Sequence, residues 1–175
     1  TVTKIDLDTN EYPKLIGVDA NGYLQVAITG VNAAVYNTTD RIAQIIPATS
    51  AISTSLSVGR PYAVAFDGSG RMLISAHPDT KDPGIYYSDL TPIVTDSAGT
   101  YAGLIYDSTS SKTFWAKPSA SVVVSDTAAT PNYSYPVTQN PSGLVKVQNT
   151  VYVTRSGLNP TSSAPICGVQ KLVLT

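Results

Sequence analysis

The residue types that most often carry chemistry are nearly missing from this chain. It has one Cys, one His, one Trp and a single Glu, Glu11. The lone Cys167 excludes an internal disulfide framework and a cysteine-based metal knuckle, and reads as a small buried residue. His77 stands in the polar run His77-Pro78-Asp79-Thr80-Lys81-Asp82. A Ser–His–Asp site would need it as base, with Ser75 two residues away, yet no G-x-S-x-G elbow is present. An exposed loop histidine is the expectation. Glycoside hydrolysis needs two carboxyl groups flanking the bond, whereas the acids here are Asp residues placed mostly at turns. No enzyme activity and no cofactor are expected.

Charge is scarce as well. Charged residues make up 13% of the chain, against roughly 25% in ordinary soluble domains, and the net charge is -1. Polar surface must therefore come from Ser, Thr, Asn and Gln. Without a basic run, nucleic acid is not an expected partner. No stretch approaches the roughly 18 apolar residues of a membrane span, so no membrane partner is expected either. Thr1 to Asn10 alternates apolar with charged residues and does not read as a signal peptide.

What the chain does have is Tyr, Gly, Pro and period-2 alternation. Its 175 residues suit one domain, or one domain with an arm. The most legible stretch runs from Arg60 to Ala76. A short apolar strand, Tyr62 to Phe66, meets a tight turn at Asp67-Gly68-Ser69-Gly70 and returns as Met72-Leu73-Ile74-Ser75-Ala76. An earlier hairpin places Leu15-Ile16-Gly17-Val18 before the turn Asp19-Ala20-Asn21-Gly22. Leu24, Val26 and Ile28 of its return strand share one face. Later copies centre on Asp107 and on Gln148-Asn149.

Asp67 and Asp107 lie 40 positions apart and Gln148 follows 41 later, while Asp19 precedes Asp67 by 48. A period near 40 with three or four short strands per unit matches a propeller blade or a trefoil-like barrel. Residues 31–57 are less regular. Thr39-Asp40 is a candidate cap for one or two helical turns through Ile42, Ile45 and Ile46, ended by Pro47; the rest reads as loop plus strand, or as a linker. The expected fold is all-β. An N-terminal arm, hairpin and linker (1–57) precede a body of about three β-repeats of roughly 40 residues (58–175), propeller-like or closed as a sandwich or barrel.

Three groups of residues are candidate contacts. The turn acids Asp19 and Asp67 are either calcium ligands or anchors of their own turns; no bidentate acid follows at calcium-loop spacing, which favours the turn. Trp115, Tyr86 and Tyr87, with Tyr101, Tyr106, Tyr133, Tyr135 and Tyr152, form either an aromatic platform for surface glycans or ordinary cross-strand packing. Val2, Ile5 and Leu7 belong either to a first strand of the chain's own sheet or to an arm that pairs with a neighbouring subunit.

Two resemblances follow from particular residues. Lys4-Ile5-Asp6-Leu7, followed by Pro13 through Val26 with its Asp19-Ala20-Asn21-Gly22 turn, resembles the N-terminal segment of tailed-bacteriophage virion proteins of the head-decoration or fibre type. The likeness covers about the first thirty residues. It implies a non-enzymatic structural protein located on the virion. Such a protein would form a homo-oligomer and contact major capsid or fibre subunits, decorating or stabilising the head exterior. Residues 61–76 separately resemble a blade of NHL-type propellers, P-x-x-V-A-F-D-x-x-G-x-x-L-I. The copy at 102–116 lacks both turn glycines, and the one at 143–154 also lacks the Asp. Neither family brings catalytic residues to these positions. The alternative reading is a secreted or fibre-borne module that binds carbohydrate or a host receptor.

Overall fold

The computed structural model describes residues 7, 11–30, 40–95, 103–117, 121–126, 131–136, 141–155 and 168–173, and every regular element among them is a strand. The first sheet is β1 (Glu11–Val18), β2 (Leu24–Gly30), β3 (Arg41–Ile46) and β4 (Ala51–Ser57). The second is β5 (Pro61–Phe66), β6 (Met72–Ala76), β7 (Gly84–Tyr87) and β8 (Pro92–Thr95). The third is β9 (Gly103–Asp107), β10 (Lys112–Lys117), β11 (Ser121–Asp126) and β12 (Pro131–Pro136). The fourth holds β13 (Pro141–Val147), β14 (Thr150–Arg155) and β15 (Gly168–Val173). Each sheet is an antiparallel meander in which sequence neighbours pair.

The sheets stack in chain order through their first strands. β1 lies against β5, β5 against β9 and β9 against β13, and among the described residues no contact of similar extent joins β13 to β1. The described strands thus form an arc of four propeller-like sheets, with β1, β5, β9 and β13 innermost.

Alternation explains the stacking. In β5, Val64 faces the first sheet, where it joins Ala27, Ile42 and Val58 with Ile74, Ala76 and Tyr86. Its neighbours Ala63 and Ala65 face the other way and join Leu73, Ile85 and Ile93 with Leu104 and Trp115 of the third sheet. The third sheet meets the fourth through Phe114, Val151 and Val153. A sheet buried on both faces has no solvent side, so β5 and β6 read as nearly unbroken apolar runs. At the closest approach, a Cβ on Gly17 of β1 would stand 2.8 Å from the Val64 carbonyl oxygen. Glycine there lets the two inner strands touch backbone to backbone.

The structure corrects one local expectation. Residues 41–46 form β3, not helical turns, while the following segment, read as loop plus strand or as a linker, supplies β4, and both belong to the four-stranded first sheet. Asp40 does not cap a helix. Its carboxylate is buried and accepts the Gly30 N–H at 2.7 Å and the Arg60 N–H at 3.0 Å, joining the end of β2 to the start of the second sheet. With Ile42 and Ala43 buried on opposite faces, and β-branched Ile at three of six positions, extended backbone wins over one weakly capped turn. Of the proposed arm, Val2 and Ile5 lie outside the described residues. Leu7 packs on Val26, Ile28, Ala43 and Ile45 of its own first sheet.

Candidate functional site

One rim of the arc carries the turns that open each sheet, and the acids at those turns are anchors. Asp19 Oδ1 accepts the N–H groups of Asn21 and Tyr23 at 2.9 and 3.0 Å. Asp67 Oδ1 repeats this with Ser69 and Arg71, both at 2.9 Å. Gly22 and Gly70 follow at φ 78° and 80°, a conformation that suits a residue without Cβ. Asp107 serves a turn one residue longer, taking the Thr109 N–H at 3.2 Å and the Ser110 N–H and hydroxyl. In the fourth sheet the turn shortens to Gln148-Asn149, with Gln148 at φ 51°.

Burial pushes these carboxyls upward in pKa, yet the donated hydrogen bonds outweigh it. Asp19 and Asp67 are held below the usual carboxylate range, and Asp107 falls to about 2 under Ser110, Lys146 and the Thr109 N–H. Lys146 Nζ lies 3.0 Å from Asp107 Oδ2, so this turn is also bolted to β13 of the next sheet. Ionised and saturated with donors, the three acids are poor proton donors near neutrality.

Between the first two sheets this rim opens into a cleft of about 470 Å³. Its first wall is the Asp19 turn with Gln25 of β2 and Gln44 of β3, whose amide nitrogens donate to Asp19 Oδ2 at 3.1 and 3.4 Å. Phe66, Met72 and Tyr87 line the opposite side beside Arg71, Ser88 and Asp89. The Arg71 guanidinium caps the Tyr87 ring at 4.4 Å from its centroid and holds Asp67 Oδ2 at 2.8 Å. A further cleft of about 520 Å³ repeats the position between the second and third sheets, beside the Asp67 turn and Tyr106. His77 lies at the opposite end of β6, half-buried, its pKa lowered by burial and by Arg60. Among the described residues, no three of His, Cys, Asp and Glu are grouped to hold a metal.

The aromatic candidates separate in space. Trp115 is 1% exposed and packs among Leu73, Ile85 and Leu104, while Tyr86 is fully buried among Ile42, Val64 and Ile74. Neither offers surface to a glycan, because strands buried on both faces leave their rings inside. Among the described aromatic candidates Tyr87 reaches the cleft between the first two sheets, with one ring face already covered by Arg71, and Tyr101 lies outside the described residues. Sequence reasoning passed over Gln25 and Gln44; two amides at paired positions of adjacent strands was the available signal.

The outer face of the fourth sheet is the other notable surface. Val145 and Val147 of β13 and Val169 and Val173 of β15 are each more than half exposed. The register places Val147, Thr150 and Val173 in one row and Val145, Tyr152 and Lys171 in the next, so they share one face. On the first sheet, Ile16 and Val18 are also more than half exposed beside the inner strands.

Comparison with known proteins bears on the fold. No known family pattern and no curated protein sequence matches the chain. Solved structures do match. A luciferin-regenerating enzyme superposes with a TM-score of 0.75 at 13% identity, over 94% of this chain and 62% of that one. A putative gluconolactonase gives 0.64 at 16% identity, over 93% and 59%. The computationally designed Ika4 protein gives 0.57 at 9% identity, over 98% and 96%. The chain thus spans about three fifths of the first two. These neighbours are β-propeller-like, and at such identities the likeness extends to the fold alone.

Proposed function

We propose that this chain is a non-enzymatic structural protein that works by surface contact, and that its setting is the exterior of a tailed-phage virion. The observation that carries the contact reading is the bare valine face of the fourth sheet. Every other sheet-to-sheet junction in the arc buries such a face, and an exposed apolar face of this kind marks an interaction surface. Low charge makes close packing of copies and partners inexpensive. The virion setting rests on the phrase at residues 4–26, and none of the three neighbours above is a virion protein. Two of them carry enzyme names, but the acids that open this chain's turns are committed to their own backbone amides.

The test is immunogold labelling of particles purified from the source culture, with an antibody to this chain. Regular labelling of heads or fibres is the expected result. Label confined to the particle-free fraction overturns the setting, and measurable turnover of a lactone by the purified chain overturns the non-enzymatic reading.

A further inference from the structure

We infer that the cleft between the first and second sheets binds a neutral, hydroxyl-rich ligand, a mono- or disaccharide. This goes beyond the contact reading and does not depend on it. The volume, about 470 Å³, lies in the range of small-molecule sites. The walls are held in place before any ligand arrives, since the Asp19 and Asp67 turns are each fixed by two backbone N–H groups.

The ligand class follows from the groups presented. The amides of Gln25 and Gln44 and the guanidinium of Arg71 carry N–H groups beyond those given to Asp19 and Asp67 and supply donors, and the exposed carboxylate of Asp89 supplies an acceptor within the same cleft. The Asp19 and Asp89 carboxyls stay ionised near neutrality: hydrogen bonds from Tyr23 N–H and Gln25 outweigh burial at Asp19, and the Thr91 N–H holds Asp89 down. A sugar hydroxyl donates and accepts at once, so it suits mixed donors and acceptors side by side. A phosphate or carboxylate ligand would meet the like charges of Asp19 and Asp89, and Arg71, the cation among the described lining residues, is already paired with Asp67. Phe66 and Met72 add an apolar wall for the C–H face of a pyranose, while Tyr87 beside them is covered by Arg71 on one ring face.

The experiment is a backbone amide NMR titration of the full chain with maltose, lactose and cellobiose, and with glucosamine at low and high salt. Saturable shifts confined to residues 19–25, 44, 66–72 and 87–89 are expected, insensitive to salt. Asp89→Asn, at the exposed rim, and Gln44→Met should each weaken binding roughly tenfold, as loss of one hydrogen bond to the ligand implies. If Gln44→Met disturbs the sheet, Asp89→Asn alone decides the matter. No shifts up to tens of millimolar, or shifts elsewhere on the surface, overturn the inference. Binding of glucosamine only, abolished by salt, overturns the neutral class in favour of amines.

Discussion

Replacing Asp107 by Asn tests the idea that turn acids hold neighbouring sheets together. The carboxylate is 8% exposed and takes bonds from Thr109, Ser110 and Lys146, the last reaching it from the fourth sheet. Its pKa falls from 3.8 to about 2, so each unit of that difference contributes about 1.4 kcal/mol of stability near neutrality. Allowing for solvent at the turn, the total is roughly 2 kcal/mol, or a fall in Tm of about 4–8 °C on losing it. The sign is definite. A carboxyl whose pKa is lower in the folded state stabilises above its unfolded pKa, and that stability disappears as pH falls through the folded value. Urea denaturation of both proteins should therefore show a gap of about 2 kcal/mol near neutral pH. The gap should close between about pH 4 and pH 2. Asp19 and Asp67 titrate in both proteins and cancel in the difference. A gap that is absent at neutral pH, or that persists unchanged in acid, refutes the assignment.

Two further outcomes follow from packing. Trp115→Ala should cost about 3–5 kcal/mol, because it empties the junction of the second and third sheets; native fluorescence of this only tryptophan should be blue-shifted, and emission like that of free tryptophan would contradict its burial. Gly17→Ala should cost about 1–3 kcal/mol by setting a methyl against the Val64 carbonyl, measured as a shift in urea midpoint, and an unchanged midpoint would mean that the inner strands part freely.

Much of the second sheet was legible along the chain. Between Tyr62 and Ala76 the Asp67 to Gly70 turn, the β-branched and aromatic residues and the two-sided apolar pattern all agree, and β5 and β6 lie where they indicate. Residues 41–46 were not legible, because a short run such as Arg41 to Ile46 suits either a helical or an extended period, whereas the strand expected after Pro47 is present as β4. The strand state of β3 depends on Asp40 and on Val64 and Ile74 packed against Ile42 from the next sheet. The same limit applies to the aromatics. Spacing cannot tell a ring that faces water from one that faces a neighbouring sheet, and Trp115 and Tyr86 lie inside.

Turn chemistry and alternation, both local in range, were enough by themselves to determine an all-β chain of repeats punctuated by Asp-anchored turns. Only the tertiary structure decided that the repeats are four sheets stacked in chain order, with an exposed valine face on the fourth and a polar cleft between the first pair. Those features depend on which faces meet, and contacts between residues 17 and 64 or 107 and 146 leave no periodic trace in the chain.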